Sequence, residues 1–230
     1  MLLECRNLAF KYPGSKFDVL TGMNCRLAGP GFHALFGPSG VGKTTLAKMI
    51  CGQLDAFSGE ITRRKIRQVL YTYNMERLPG WSSVGEHLEL NIPHASRHIV
   101  DDLVRLFGLA ECMDSRFAQL SLGQQNRTNL ARYLLQDFDL LVMDESLANV
   151  DEATKEKIIL QMKAMFPQRF FLYISHNVVE VARFCRQILV LRTPRKLPQA
   201  VVISGLDHRH GQHPDQSRLE HTMLEIVNAA

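Results

Sequence analysis

Eight residues, Gly37-Pro38-Ser39-Gly40-Val41-Gly42-Lys43-Thr44, spell the pattern G-x-x-x-x-G-K-[ST]. This confines the chain to folds in which a strand enters a glycine-rich turn that opens onto a helix. The glycines let the backbone wrap so that successive N–H groups point inward. The helix that follows aims the positive end of its dipole at the same spot. A nucleotide held there would meet Lys43 at its β- and γ-phosphates, and the Thr44 hydroxyl would ligate Mg²⁺. Thr45 adds a hydroxyl for the α-phosphate. Ordinary residue frequencies give a chance match odds of about one in a hundred in a chain of this length. The apolar run Phe32-His33-Ala34-Leu35-Phe36 before the loop and the helical stretch Lys43–Cys51 after it supply the required flanks. Alone, the loop licenses a nucleotide site for ATP or GTP.

A second run points to the same chemistry. Leu140-Leu141-Val142-Met143 is an apolar strand that ends in Asp144-Glu145. Such a strand delivers its last side chains to the carboxyl edge of a sheet, where ligands sit. Asp144 is placed to hold Mg²⁺, directly or through water. Glu145, on the other side of the strand by alternation, is the candidate to orient or deprotonate an attacking water. A solvated strand end is the bland alternative, and the upstream loop weighs against it. Leu120-Ser121-Leu122-Gly123-Gln124 precedes a helix with Leu130, Ala131, Leu134 and Leu135 on one stripe. Ser121 and Gln124 have capping-box spacing. The segment is thus either a well-capped helix or a second helix N-terminus able to meet phosphate, and spacing alone leaves both open.

The rest of the chain arranges itself around these motifs. Residues 1–12 and 16–27 read as strands about a Pro13-Gly14 turn, and Val69–Tyr73 as another strand. Residues 76–137 lose β-branched alternation and turn helical, with Ile99, Leu103, Leu106 and Phe107 at helical spacing before Gly108. A helix from about Asp151 places Ile158, Ile159, Met162, Met165 and Phe166 on one face. Phe170–Ile174 is the next strand, and Gln187–Leu191 with Ala200–Ile203 a closing pair. Strands alternating with helices predict an α/β fold with a largely parallel sheet. The expected division is a core of residues 1–75 and 138–205, a helical lobe of 76–137 and an extension of 206–230.

Composition narrows the setting. With 230 residues and 46% hydrophobic content the chain can bury a proper core. No apolar run approaches the ~18 residues of a membrane span, and Met1–Arg6 is broken by charges. Membrane work would therefore need another chain for the span. The five scattered cysteines lack metal-ligand spacing and read as small buried hydrophobes. A net charge of +4 does not argue for nucleic acid. The basic run Arg63, Arg64, Lys65 and Arg67 reads as a solvated strand or turn. His208, His210, His213 and His221 read as a mobile polar tail rather than a metal site, with a short helix over residues 216–227, and His94 and His98 as a solvated helix start.

Taken together and in order, the motifs of residues 1–205 resemble an ABC ATPase domain. Leu120–Gln124 is similar to the family signature L-S-G-G-Q, and Asp144-Glu145 matches its strand-end D-E pair. Ala148-Asn149-Val150-Asp151 sits at the family's D-loop. His176, after Phe171–Ser175, matches the switch histidine, and Tyr12 the aromatic that stacks on adenine. A lone histidine is more often structural, but its place in this series favours the switch. The resemblance implies a RecA-like phosphate-loop core with an N-terminal antiparallel β subdomain and an inserted helical subdomain. It also implies an ATP-hydrolysing subunit that dimerises head to tail, here with a second copy of the chain as the expected partner. Each ATP would lie between one subunit's phosphate loop and the other's signature. Ser121 and Gly123 would touch the partner's γ-phosphate, with Gln124 and Asp151 close by. His176 would contact the γ-phosphate and help hold the attacking water.

Three positions depart from the family pattern. The Q-loop glutamine aligns with Asn74, a methylene shorter, so its reach to Mg²⁺ would need a water and coupling to a partner would weaken. Leu122 replaces the first signature glycine. Ser146 replaces the proline that usually follows the glutamate, which predicts a looser turn. Leu78-Pro79-Gly80-Trp81-Ser82-Ser83-Val84 resembles a stretch of importer ATPases for nitrate, sulfonates and taurine, as does Arg192-Thr193-Pro194-Arg195 after the last core strand. That subfamily implies a transmembrane permease with a substrate-binding protein, uptake of a small solute, no nucleic acid, and peripheral residence on the cytoplasmic side of the inner membrane. Trp81 would lie near the permease contact or, as plain chemistry allows equally, in the core. The competing reading is a soluble ABC-type ATPase of DNA repair or translation. Repair ATPases carry a long coiled coil between loop and signature, and no heptad run fits here. Translation factors of this kind carry two ATPase domains in one chain. A small-molecule kinase would not need Ser121–Gln124 or His176.

Overall fold

The computed structural model describes residues 1–73, 76, 78–90, 92–212 and 215–230, except the side chains of His94 and Ala95. The position of Asn74 thus lies outside the described residues, as does that of His213. Two sheets carry the fold. β1 (Leu2–Phe10) pairs antiparallel with β2 (Leu20–Ala28) and with β4 (Ser58–Arg64), giving the order β2-β1-β4. The six-stranded sheet runs β5 (Val69–Thr72), β6 (Leu140–Asp144), β7 (Phe170–Ile174), β3 (Gly31–Phe36), β8 (Gln187–Leu191), β9 (Ala200–Ser204). Its first five strands are parallel, and β9 closes it antiparallel to β8.

Strand alternation sorts the core onto the two faces of this sheet. Leu140 and Val142 of β6 and Phe170 and Leu172 of β7 point to one side, where they meet α1 (Lys43–Ile50) through Leu46, Met49 and Ile50 and the three-stranded sheet through Leu3, Leu8 and Leu20. Leu141 and Met143 of β6 and Phe171 and Tyr173 of β7 point to the other, beneath α5 (Glu152–Met165) and α6 (Val178–Phe184). Ile158, Ile159 and Met162 of α5 are fully buried there. Between β5 and β6 the named elements are all helical: α2 (Val84–Glu89), α3 (Val100–Leu106), α4 (Leu122–Leu134) and three short 3₁₀ turns. Ser83 caps α2 in a capping box with Glu86.

Three expectations are refined by the structure. The chain end is not a loose polar tail: the helix expected over residues 216–227 forms as α7 (Gln216–Ala229), and it buries Leu219, Thr222, Ile226 and Ala229. His208 is itself buried. Its carbonyl accepts from Lys163 Nζ at 2.7 Å, and Asp207 pairs with the same ammonium at 2.6 Å. Trp81 is not core; it is 78% exposed. Ser146 brings its turn a tie of its own: it is buried, and its hydroxyl bonds that of Thr72 on the neighbouring strand. A proline could not make that bond. All five cysteines are free, and four are buried.

Candidate nucleotide site

β3 points its carboxyl end at Gly37, and α1 begins six residues later, so the loop Gly37–Gly42 bridges strand and helix as the motif requires. Two of its glycines are enforced by space. A Cβ on Gly37 would stand 2.3 Å from the Leu191 carbonyl oxygen, and one on Gly42 would stand 2.6 Å from Val19 Cγ1. Gly42 also takes φ 106° as the residue preceding α1, a conformation side chains disfavour. Lys43 is folded into the loop, its Nζ donating to the carbonyls of Gly37 and Pro38 at 2.9 Å each. Burial pulls its ammonium below the ordinary lysine range, while Glu145 and Asp144 act the other way.

Register in the parallel sheet brings the second motif alongside. Asp144 ends β6 opposite Ile174 of β7. Its Oδ2 accepts the Thr44 hydroxyl at 3.2 Å and also the Tyr71 hydroxyl. Glu145 lies just past the strand at φ 52°, a left-handed turn that a non-glycine residue rarely adopts. The alternation expected for it therefore fails. The turn swings its side chain back to the same cleft as Asp144. Non-glycine residues held in this region cluster at functional sites. His176 follows β7 and places Nε2 3.1 Å from Glu145 Oε1; both side chains are half-exposed. Ser39, Gly40, Gly42, Lys43, Thr44, Thr45, Asp144, Glu145, Ile174 and His176 thus line one cleft of about 240 Å³.

Other expected residues lie apart from this cleft. Tyr12 is half-exposed beside it, its hydroxyl 2.9 Å from Thr45 Oγ1 and its ring edge-on to Phe10. Thr45 is thereby engaged with Tyr12. Pro38 and Val41 serve the loop's backbone, Pro38 through its carbonyl and Val41 as a buried side chain. Ser121 caps α4: its Oγ accepts from Gln124 N at 3.2 Å, while Gln124 Oε1 accepts from Ser121 N at 2.9 Å. Gly123 packs so closely on the D-loop that a Cβ would stand 2.9 Å from the Asn149 carbonyl oxygen. Asp151 caps α5 through Thr154 N at 2.9 Å, and that bond holds its carboxyl below the usual range. None of Ser121, Gly123, Gln124 or Asp151 lines the cleft of its own chain. Tyr71 was not legible as a site residue. Only the sheet order, which sets β5 beside β6, brings its hydroxyl to Asp144.

Comparison with known proteins agrees with this geometry. The chain is 33% identical over 185 residues to the molybdenum import ATP-binding protein ModC of Brucella melitensis, a match covering 72% of this chain and 52% of that protein. It is 27% identical over 231 residues to the zinc transport system ATP-binding protein TroB of Treponema pallidum, covering 91% and 86%. The chain spans about half the length of the ModC relatives it matches. Among solved structures, a bacterial Atm1-family ABC exporter with ATP bound superposes with a TM-score of 0.73 over 83% of this chain and 37% of that one. At 24% identity that likeness shows a shared fold. The family profile described as ABC transporter matches residues 20–148, more than half of the sequence, and the chain belongs to that family.

Proposed function

We propose that the chain is the ATP-binding and ATP-hydrolysing subunit of a membrane transporter, energising uptake of a small solute through a partner permease. The observation that carries this is the convergence of Lys43, Thr44, Asp144, Glu145 and His176 on one cleft from three separate stretches of sequence. The Lys43 ammonium, now shared between two loop carbonyls, would exchange them for phosphate oxygens. Glu145 would take the proton of the attacking water, and His176, in contact with Glu145, would hold that water against the γ-phosphate. The hydroxyl of Thr44 and carboxylate of Asp144 stand together as hard oxygen donors, a set that suits Mg²⁺. Bound there, the ion would neutralise charge on the phosphates.

The signature residues support a composite site. Ser121, Gly123 and Gln124 stand away from the cleft of their own chain, so a second copy, head to tail, would present them to the γ-phosphate. Tyr12 would stack on the adenine. We place the nucleotide core in residues 1–75 and 138–205, the signature lobe in 76–137 and an extension in 206–230. Among the described residues no helix is long and apolar enough to cross a membrane. The span would come from a permease, docked at the cytoplasmic face near the exposed Trp81. The relative named for molybdenum import supports uptake as the direction. Co-purification tests the reading: recovery with a multi-span membrane protein and solute-stimulated ATP hydrolysis are expected. Consistent recovery with ribosomes or DNA instead would sink it.

A further inference from the structure

Behind His176 lies a polar cluster that the catalytic reading leaves without a task. Glu180 of α6 is buried, and its carboxylate accepts four hydrogen bonds. Lys155 Nζ and Asn177 Nδ2 donate to Oε1 at 2.6 and 3.2 Å. The hydroxyls of Tyr173 and Ser175 donate to Oε2 at 2.8 and 3.0 Å. Ser175 Oγ in turn accepts from the Asn177 backbone N–H at 3.1 Å. Asn177 Oδ1 caps α6 by accepting from the N–H groups of Val179 and Glu180. The residues on either side of His176 therefore hang on one carboxylate. His176 is half-exposed, and Glu180 is absent from the walls of the nucleotide cleft.

A buried carboxylate is costly unless paired and hydrogen-bonded, and this one has an ammonium and three further donors. Burial and Glu180 push the Tyr173 hydroxyl well above its ordinary range, which keeps it a donor. Lys155 stands on the first turn of α5, one turn past the cap Asp151. The cluster thus ties the histidine loop to the segment that follows the D-loop. We propose that Glu180 is a positioning residue: it fixes the Ser175–Asn177 backbone and so sets the aim of His176 at Glu145. This rests on the ATPase reading of the cleft.

Glu180→Gln would set an amide NH₂ either against the Lys155 and Asn177 donors or against the two hydroxyls, which must then reverse their bonds, and it removes the charge that pairs with Lys155, so it weakens the anchor at little change in volume. In the transporter complex, Glu180→Gln should lower kcat about tenfold or more and leave the KM for ATP within about twofold. Against a His176→Ala background the same change should cost less than about twofold, because its route of action is gone. Losses that multiply in the double variant, or a Glu180→Gln kcat within about twofold of wild type, would overturn the proposal. Should Glu180→Gln fail to fold, Ser175→Ala removes the bridging hydroxyl alone. It should cost about threefold in kcat with the same non-additivity, and additivity there is equally fatal. Absence of turnover by the wild-type complex would overturn the ATPase reading and this proposal with it, whereas turnover unaltered in the variants overturns this proposal alone.

Discussion

His33 gives the fold a pH dependence that can be worked through. It lies on β3, the strand that delivers Gly37, and is fully buried. Its ring stacks on Phe170 at 4.2 Å between centroids, and Nε2–H donates to the Gly29 carbonyl at 3.0 Å. Among the described residues Nδ1 has no hydrogen-bond partner. Burial depresses its pKa from 6.5 to about 4, the Gly29 bond opposing and the Arg186 charge assisting. Between those values the unfolded chain binds a proton that the folded chain refuses. Stability from this group is therefore complete above about pH 6.5 and drains away as pH falls toward 4. At 1.36 kcal/mol per pKa unit the loss approaches about 3 kcal/mol. Other groups titrate in the same window, so the comparison is with His33→Gln, which keeps a donor for Gly29 but cannot ionise. Urea denaturation of both proteins from pH 7.5 to 4.5 should show the wild type losing stability faster, the gap between them closing by about 2–3 kcal/mol. Any packing cost of the glutamine is independent of pH and cancels in the slope. Parallel curves would refute the reasoning, for they would mean that His33 takes up its proton as readily in the fold as out of it.

Other perturbations probe the site. Glu145→Gln should trap an ATP-bound dimer and cut turnover by about 10²-fold or more, read by steady-state hydrolysis and size-exclusion chromatography with ATP; turnover at the wild-type rate would remove Glu145 as the base. Asn74→Gln should raise ATPase rate or coupling in the assembled complex, and unchanged kinetics there would remove the idea that a short amide weakens this position. Gly123→Ala must push the Asn149 carbonyl, 2.9 Å from the new Cβ, out of its place. It should cost about 1–3 kcal/mol in thermal denaturation of the isolated chain, and a wild-type melting temperature would contradict the contact.

What the sequence discloses about this fold is what depends on local pattern. The phosphate loop, the strand ending at Asp144, the caps at Ser121 and Asp151 and the closing pair β8–β9 all follow from short-range rules of turn, alternation and capping. What stays hidden depends on sheet order. Nothing in Tyr71 or Thr72 announces Asp144 and Ser146, more than seventy residues away, as their hydrogen-bond partners. The setting of β5 beside β6 makes both bonds at once. Glu145 fails the alternation rule because the strand ends one residue earlier and a left-handed turn takes over. At the histidine-bearing chain end the helix over residues 216–227 is legible, but polarity hides its docking: Leu219, Thr222, Ile226 and Ala229, at spacings of three and four residues, make one buried stripe against the core.

Ser146 and Thr72 show how one departure can be absorbed by another residue. A proline after Glu145 would stiffen that turn through its fixed φ. Serine gives up that restraint, but its hydroxyl reaches Thr72 across the sheet, and both groups are buried. The restraint is exchanged from a dihedral to a hydrogen bond. Losing either partner would strand the other in a dry site at about 1–3 kcal/mol, whereas replacing both with apolar groups of similar shape would cost much less. Thr72 is also the last residue of β5, two positions before Asn74. The bond therefore joins the turn that holds Glu145 to strand β5. A family member with proline after the glutamate has no hydroxyl there and cannot make this link. In this chain the stiffness of the catalytic turn and the seating of that strand are consequently one property rather than two.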